Sequence, residues 1–269
     1  MTREPDTGAA LRSLYAPEGG VRSVFSRKVA DYLASRPDYP DALFDALASR
    51  CALREGATIA DLGAGTGLLT QGLLARGHRV VAVEPNPAMR EACDRVCGAF
   101  AGYRSVEGSA ESMPLPPSSV DLVTAAQAFH WFDVEAARGE CLRVLAPNAK
   151  VALIWNDRVS ADPLHVALDE VFAEFGGEKR DALLAHENRS DVPRFFGATR
   201  AEEHSWPHAH SLDAEGLLCL AFSRSYMPER ATPAGHDVLR RVREIHDRLR
   251  ENARVIVRYR TVAMLGRPT

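Results

Sequence analysis

The sequence predicts an α/β protein with a doubly wound, Rossmann-like sheet, mostly parallel with one antiparallel strand, and a helical lid. Three observations support this fold class. Short apolar runs of strand length alternate with segments of helical period between residues 57 and 157, a pattern typical of βαβ units. The first apolar run ends in a glycine-rich turn that opens a helix. Beyond residue 157 the alternation weakens and helical segments dominate, which indicates a lid.

The elements of the first half follow from residue period and stop signals. Two helices precede the sheet, at 26–36, where Pro37 ends the helix, and at 40–50. Right-handed crossovers make the strands that follow parallel. The core strands are predicted at 57–62, 79–84, 103–108, 120–125 and 150–155, and the helices between them at 68–75, 87–96 and 134–144.

The second half is predicted to add helices and two strands. Apolar residues at helical spacing indicate helices at 164–175, 212–222 and 238–250. Residues 201–206 are predicted as an edge strand. Residues 255–265 are predicted as a final strand, which is commonly antiparallel in such a sheet.

Three units follow from this reading of the chain. Residues 1–25 have neither helical nor strand period and are predicted to form a mobile amino-terminal arm. Residues 26–157 form the core that binds a cofactor, together with its amino-terminal lid helices. Residues 158–269 supply the lid and specificity insert, then the carboxyl-terminal helix and strands that complete the sheet.

The composition excludes several classes of protein. The 269 residues, 46 % hydrophobic and 26 % charged, show ordinary globular usage, so disorder across the chain is excluded. A net charge of −3 gives no support for a dedicated nucleic-acid binder. The sequence has neither the ~20 consecutive apolar residues of a membrane span nor the apolar segment of a secretory signal. We therefore expect a cytoplasmic monomer or homodimer with no nucleic-acid or membrane partner.

A glycine loop at the end of the first strand carries the sharpest signal. The segment runs from Asp61 to Gly67 as DLGAGTG, and Glu84 ends the second strand. Glycines let the backbone approach a ligand closely, and a carboxylate at the second strand can accept hydrogen bonds from both ribose hydroxyls. The G-x-G-x-G spacing differs from that of dinucleotide folds, which disfavours an NAD-dependent oxidoreductase. The charge of Asp61 suits a cofactor with a cationic end.

These segments resemble the motifs of class I S-adenosylmethionine-dependent methyltransferases. Residues 61–67 match the first motif at every position, 80–89 are similar to the second, 108–111 to the third and 120–132 to the fourth. The resemblance spans about residues 26–157 and implies S-adenosylmethionine as the cofactor. It implies that the cofactor is held by Tyr32, Arg36, Asp61, Gly63, Ala64, Gly65, Gly67, Glu84, Pro85, Met89, Ala110, Glu111 and Gln127.

Residues 32–40 and 127–132 resemble small-molecule methyltransferases of type 11, near the trans-aconitate and ubiquinone types. In that group the amino-terminal helix closes over the cofactor, so Tyr32 and Arg36 would face its methionine end. The alternative is that Tyr32 only packs and Arg36 only pairs with an acid. The resemblance implies methyl transfer to O, N or C of a small metabolite, as in secondary metabolism. A non-catalytic S-adenosylmethionine-binding protein and an RNA methyltransferase remain alternatives.

His130 is the candidate catalytic residue, because it follows the fourth strand at the edge where the methyl group should lie. An imidazole with a pKa near ambient pH can accept a proton from the acceptor. The alternative is a structural imidazole that donates to a backbone carbonyl. We predict that the acceptor pocket is lined by Phe129, Trp131, Trp155 and Asn156. These neighbouring aromatic side chains cannot all point inward, and Phe132 is assigned to the core.

Clusters of metal-ligand and basic residues have simpler explanations. Cys93 and Cys97 lack zinc-knuckle spacing, and His204, His208 and His210 are predicted to lie in a solvated loop, so we expect no metal. The arginine-rich stretch 240–260 is interspersed with acidic residues. That pattern is typical of a solvated helix face with i,i+4 pairs.

Overall fold

The computed structural model describes residues 7–186 and 189–269. Its strands are β1 Thr58–Leu62, β2 Arg79–Val83, β3 Tyr103–Val106, β4 Val120–Ala126, β5 Leu145–Arg158, β6 Glu202–Leu212 and β7 Val255–Gly266. They form one sheet in the order β3-β2-β1-β4-β5-β7-β6. Strands β1 to β5 are parallel, and β7 runs antiparallel to both β5 and β6. The predicted fold class, with its one antiparallel strand, is confirmed.

Helices flank this sheet, and several begin where a side chain accepts hydrogen bonds from the first turn. Asn86, Asp133 and Asp162 cap helices in this way. The helices are α1 Thr7–Ser13, α2 Gly20–Ser35, α3 Asp41–Arg50, α4 Leu68–Leu74, α5 Pro87–Cys97, α6 Val134–Val144, α7 Pro163–Ala185, α8 Val192–Phe196, α9 Ala214–Phe222 and α10 Pro233–Leu249. Helix α7 is interrupted at Gly177, where φ is 52°.

The sheet is covered on both faces, as a parallel sheet with crossover helices requires. Helices α3, α4 and α5 bury Leu43, Leu73 and Cys93 against one face. Helices α6 and α8 bury Cys141 and Phe195 against the other. Because both faces are occupied, the edge formed by the carboxyl ends of β1, β2, β4 and β5 is the place left for a ligand.

The lid is a second apolar cluster that rests on β7. Helices α7, α9 and α10 contribute Phe172, Leu217 and Val242, and β7 contributes Val257. On the outer side of α10, Arg240 pairs with acidic residues one turn away on either side. The arginine-rich stretch therefore includes a solvated helix face, as predicted.

The expectation of a mobile arm over residues 1–25 is wrong for the part that the structure describes. Residues 7–25 form α1, a short 3₁₀ turn at Ala16–Glu18 and the start of α2. Leu11, Tyr15 and Val24 are buried together, and the Tyr15 hydroxyl lies 2.8 Å from Ser225 Oγ. A helix as short as α1 shows little period and is stabilised mainly by tertiary packing. Residues 1–6 lie outside the described residues.

The carboxyl-terminal half also departs from the sequence reading in places. Strand β5 begins earlier than predicted, α7 extends to Ala185, and α8 was not anticipated. His204, His208 and His210 lie on β6, an edge strand, rather than in a loop. Pro207 sits within β6 and weakened the strand signal, although an edge strand tolerates proline. Within the described residues, no helix combines the length and apolar character needed to cross a bilayer.

Candidate active site

A cavity of about 1080 Å³ opens at the carboxyl ends of the parallel strands. Single-ligand pockets commonly measure about 300–1,000 Å³, so this one has room for a cofactor and an acceptor together. The loop after β1 forms one wall, α2 forms another, and α7 and the segment after α9 close the far side. The predicted site residues that line it are Tyr32, Arg36, Asp61, Gly63, Ala64, Gly65, Glu84, Pro85, Met89, Ala110, Glu111, Gln127, His130, Trp131, Trp155 and Asn156.

The glycine loop uses two of its glycines for different purposes. Gly63 has a φ of 62°, and a Cβ there would lie 2.7 Å from the Cβ of Ala128. Only glycine fits this left-handed, crowded position, where the backbone itself forms the cavity wall. Gly67 has a φ of 91°, and a Cβ there would lie 2.8 Å from Cys93 Sγ. Gly67 therefore packs the loop onto α5 and, contrary to its predicted role, does not line the cavity.

Glu84 at the end of β2 is buried, with 6 % of its surface exposed. Its Oε2 accepts a hydrogen bond from Gly65 N at 2.9 Å, and its Oε1 accepts one from Asn86 N at 2.8 Å. Burial raises the pKa of Glu84, and these two donors oppose the rise. A carboxylate has about four acceptor sites, so acceptor capacity remains for two ribose hydroxyls.

Asp61 at the end of β1 is 1 % exposed, and both of its carboxylate oxygens accept hydrogen bonds from the protein itself. Its Oδ2 accepts from Thr70 Oγ1 at 2.6 Å, and its Oδ1 accepts from Thr124 Oγ1 at 2.8 Å. Burial raises the pKa of Asp61 to about 6, although both hydroxyl donors lower it. These contacts join β1, α4 and β4. Asp61 therefore fixes the loop, which differs from the expected counter-charge directed at a cationic ligand.

Helix α2 brings Tyr32 and Arg36 to the cavity and ties them to the lid. The guanidinium carbon of Arg36 lies 4.4 Å from the centre of the Tyr32 ring, and Arg36 Nε donates to Ser223 Oγ at 2.9 Å. The alternative that Arg36 only pairs with an acid is wrong. Over 7–186 and 189–269, no carboxylate lies within 4.0 Å of its guanidinium. Lys28, which also lies on α2, donates to the backbone carbonyls of Phe222 and Met227.

Gln127, directly after β4, has a strained backbone and holds the residues around it in place. Gln127 adopts a φ of 55°, its N–H donates to Ile154 O at 2.9 Å, and its Nε2 donates to Asn156 O at 3.2 Å. Asn156 in turn accepts from Thr261 Oγ1 at 2.6 Å. Non-glycine residues in this conformation cluster at functional sites, where the surrounding structure holds them.

His130 lines the cavity from the 3₁₀ turn Phe129–Trp131, its ring centre 4.9 Å from that of Trp131. Burial, with smaller electrostatic contributions from His186 and Arg36, lowers the pKa of His130 to about 3. The expected pKa near ambient pH is therefore not found. The imidazole is neutral at pH 7 and can accept a proton, but it is a weaker base than a solvated histidine.

The aromatic residues after β4 divide between core and cavity only partly as assigned. Phe132 is buried in the core, as assigned, and also lines the large cavity. Phe129, predicted to line the acceptor pocket, packs in the core, with its ring centre 5.4 Å from that of Phe195 and 6.3 Å from that of Trp155. The backbone leaves β4 through a 3₁₀ turn, so strand alternation no longer decides which side chain faces inward.

Sequence reasoning missed much of the far wall. These residues come from the end of β5, from α7 and from segments beyond it, and no local motif marks them. Asn86, before Pro87, had a readable helix-start signal. The missed residues that line the cavity include Tyr39, Asn86, Arg158, Asp169, Arg180, Arg189, Arg224 and Tyr259.

Comparison with known proteins gives the family. Residues 60–153 match the methyltransferase domain family. The chain is 35 % identical to an uncharacterised methyltransferase of Mycobacterium tuberculosis over 221 residues, covering 82 % of this chain and 84 % of that protein. It is 31 % identical to an uncharacterised methyltransferase-like protein of Schizosaccharomyces pombe over 89 % and 93 % of the two chains. The chain belongs to the class I methyltransferases.

Solved structures agree on the fold. A structure from Anaeromyxobacter dehalogenans described as a candidate type II methyltransferase matches with a TM-score of 0.57 and 24 % identity, covering 87 % of this chain and 99 % of that one. One from Anabaena variabilis, described as a candidate methyltransferase of an antibiotic biosynthesis pathway, also has a TM-score of 0.57, with 20 % identity and coverage of 86 % and 98 %.

The cofactor of this methyltransferase is S-adenosylmethionine, and the residues present fit it. A Cβ at Gly63 would crowd the loop, and the backbone there faces the cavity directly. Glu84, at the end of β2, retains acceptor capacity that two ribose hydroxyls could use. Arg36 places a guanidinium on the cavity wall, a group that can pair with a carboxylate.

Proposed function

We propose that the protein methylates an O, N or C atom of a small metabolite. The observation that carries this proposal is the continuity of the cavity, which runs from the glycine loop to a chamber under the lid. Residues of α2, α7 and the segment after α9 line that chamber, and this concave shape suits a small molecule better than a polymer. Arg240 and Arg241 on α10 pair with acidic residues, which also disfavours RNA as the substrate.

S-adenosylmethionine supplies an electrophilic methyl carbon on a sulfonium. The protein's contribution is to hold the acceptor atom in line with that carbon, and positioning of this kind accounts for much of the acceleration in bimolecular transfer. We assign ribose binding to Glu84 and orientation of the methionine end to Tyr32 and Arg36. Trp131 and Trp155 exclude water from the chamber.

His130 is our candidate for a proton acceptor. It borders the chamber, and its low pKa keeps it in the accepting, neutral form at pH 7. The same low pKa limits its strength as a base, so we expect it to assist acceptors whose proton is already acidic. For other acceptors His130 would act mainly by orienting the nucleophile.

A metabolite screen that measures release of S-adenosylhomocysteine tests this proposal. Turnover with one or more small acceptors, and none with bulk transfer RNA or ribosomal RNA, is the expected result. A His130→Ala protein, checked for folding by its melting curve, serves as the control for contaminating activity. Cofactor binding without turnover on any acceptor would indicate a non-catalytic binding protein, and turnover on RNA alone would overturn the small-metabolite assignment.

A further inference from the structure

Asn86, between β2 and α5, is bonded to three parts of the protein. It is 3 % exposed and lines the cavity. Its N–H donates to Glu84 Oε1 at 2.8 Å, and its Oδ1 accepts from Ala88 N at 3.0 Å and from Met89 N at 3.3 Å. Its Nδ2 donates to the backbone carbonyl of Arg22 on α2 at 2.8 Å. One buried residue therefore joins the carboxylate of Glu84, the start of α5 and the first turn of α2.

The cap of α5 does not account for all of these contacts of Asn86. A helix cap needs only an oxygen acceptor, which serine or aspartate supplies about as well. An asparagine amide can in addition donate through its nitrogen while its oxygen accepts, and here the nitrogen binds Arg22 O. The Ser26 hydroxyl lies 3.1 Å from Asn86 Oδ1 and 2.9 Å from Arg22 O, and its one hydrogen serves one acceptor at a time. We name these contacts of Asn86 with Arg22 and Ser26 the α2 latch.

The two ends of α2 are attached to different parts of the molecule. Lys28 within the helix and Arg36 directly after it donate to Phe222 O and Ser223 Oγ, beside α9. The α2 latch instead joins the first turns of the helix to the end of β2. The start of α2 is therefore held by a different set of hydrogen bonds from those that hold its end to the lid.

The start of α2 supplies part of the cavity wall. Val21, Arg22 and Phe25 line the cavity, together with Glu84 and the glycine loop. Asn86 binds Glu84 through its N–H and α2 through its side chain, so it sets the relative position of two parts of the wall. A cofactor bound at Glu84 can contact the start of α2 only while that part of the helix is docked.

Resting on the proposed function, in which Glu84 binds the ribose, we infer that Asn86 is a positioning residue that latches the start of α2 over the bound cofactor. Docking of α2 adds contacts to the cofactor, so the bound cofactor must stabilise the docked helix to the same extent. Release of the cofactor requires the first turns of α2 to separate from Asn86. The α2 latch thereby sets how long S-adenosylhomocysteine stays bound after transfer.

Hydrogen exchange of the wild type, with and without saturating S-adenosylhomocysteine, tests this linkage. On binding, the amides of residues 20–28 should slow by a factor about threefold or more larger than the factor for residues 41–50. Residues 41–50 form α3, where no described residue lines the cavity, so they report only the general gain in stability. Equal slowing of the two segments would overturn the inference without reference to any variant.

Two substitutions of Asn86 separate the α2 latch from the helix cap. Asn86→Ser keeps an oxygen that can cap α5 but loses the amide that reaches α2, whereas Asn86→Ala loses both. The rate of S-adenosylhomocysteine release, measured by stopped-flow fluorescence, should rise about two- to tenfold in both variants, which corresponds to the loss of one hydrogen bond. Melting curves should show the larger loss of stability in Asn86→Ala. A release rate that rises only in Asn86→Ala would mean that Asn86 acts as a cap alone, and would overturn the inference.

Ser26→Ala examines the other side of the α2 latch. It removes the hydroxyl that lies between Asn86 and Arg22, and the release rate should rise less than in Asn86→Ser. Ser49→Ala is the matched control, because Ser49 Oγ also donates to the carbonyl four residues earlier, at 2.8 Å, but on α3. It should keep the wild-type release rate. A rise in Ser49→Ala as large as that in Asn86→Ser would show a general effect of helix stability and would count against the latch.

These measurements need no methyl acceptor, so their outcome is separable from that of the proposed function. If the metabolite screen finds no turnover while the release rates follow the expected order, the α2 latch stands and the catalytic proposal fails. If the screen finds turnover and Asn86→Ser releases S-adenosylhomocysteine at the wild-type rate, methyl transfer stands and the latch is wrong.

Discussion

The two halves of the cavity are held together at very different ranges along the chain. In the cofactor half, Glu84 binds Gly65 N, 19 residues away, and Asp61 binds Thr70 and Thr124, 9 and 63 residues away. Where the amino-terminal helices meet the lid, Arg36 binds Ser223, 187 residues away, and Tyr15 contacts Ser225, 210 residues away. These contacts of the cofactor half lie within residues 61–124, whereas the acceptor half is complete only when α2 has packed against segments far away in the chain.

This difference separates the contacts that shape the cofactor site from those that shape the acceptor site. The contacts of Glu84 with Gly65 and of Asp61 with the two threonines do not involve the segments that cover the cofactor half. The acceptor half is specified by the lid and can change without disturbing the glycine loop. Variants in one half should therefore leave the property of the other half intact, and four predictions examine that independence.

His130→Ala is expected to have the largest effect, and it belongs to the acceptor half. With an acceptor from the screen, kcat should fall about 10²-fold, the lower end for a positioned proton acceptor, because the pKa of His130 is low. The Kd of S-adenosylhomocysteine should be unchanged. Steady-state kinetics and calorimetry measure the two quantities.

The pH profile sharpens this prediction. Since the pKa of His130 is about 3, the imidazole stays neutral from pH 5 to 8, and the wild type should show no ionisation of this residue there. A limb near pH 6.5 that disappears in His130→Ala would mean that the bound acceptor restores an ordinary imidazole pKa. A variant with normal kcat would remove His130 from the mechanism.

The same difference in contact separation along the chain explains which half of the cavity the sequence predicts well. The glycine loop, Glu84 and the alternation of strands and helices are properties of short windows, and the structure has them where expected. Tyr259 and Arg224 carry no local pattern, since their position in the cavity depends on β7 pairing with β5 and on α9 packing against α2. A short stretch of sequence cannot show which distant segments will pack together.

Errors within the predicted regions also have physical reasons. Gly67 belongs to the same glycine pattern as Gly63, yet its missing Cβ makes room for Cys93 and Cys97 instead of a ligand. Phe129 packs in the core and does not line the large cavity, because a 3₁₀ turn after β4 breaks the period of two. A pattern identifies where a residue type is needed, and three-dimensional neighbours decide what it contacts.

Glu84→Ala should produce the next largest effect, confined to the cofactor half. Loss of hydrogen bonds to a charged acceptor is expected to cost roughly 1.5–3 kcal/mol, which is about a ten- to hundredfold rise in the Kd of S-adenosylmethionine. Glu84→Gln keeps one acceptor oxygen for Gly65 N and should lose less. Calorimetry at matched pH compares the three proteins, and an unchanged Kd in the alanine variant would mean that the ribose is held elsewhere.

Asp61→Asn tests the scaffold beneath the cofactor half through the pH dependence of stability. The folded pKa of about 6 exceeds the ordinary value of 3.8, so the native state holds more protons than the unfolded state between these values. Wild-type stability therefore loses roughly 1–3 kcal/mol from this residue as pH rises from 4 to 6. The asparagine variant should lack that loss, so its stability relative to wild type should rise over this window and then level off.

Urea unfolding at pH 4, 5, 6 and 7 measures the Asp61 effect. Asp45→Asn, at an exposed position on α3, is the matched control and should follow the wild-type curve. If the difference between Asp61→Asn and wild type did not vary with pH, the carboxylate would already be ionised throughout this range in the folded protein.

Lys28→Met is expected to have the smallest effect at pH 7, because two contributions oppose each other. The variant leaves the Phe222 and Met227 carbonyls without their donor, at a cost of about 1–3 kcal/mol. It also removes a buried cation whose pKa is lowered from 10.5 to about 8, a relief of similar size. The net change should stay within about 1 kcal/mol, and cofactor affinity within about twofold, since Lys28 does not line the cavity.

The pH dependence distinguishes this cancellation from an absence of any interaction. Between pH 8 and 10.5 the unfolded chain keeps a proton that the folded protein has released from Lys28, so wild-type stability should gain with pH through this residue. Lys28→Met should lack that gain, whereas Lys150→Met, on β5, should retain it. Urea unfolding at pH 7, 8, 9 and 10 measures the slope. An equal gain in both variants would show that Lys28 is solvated, and that α2 is held to the lid by Arg36 and the apolar contacts alone.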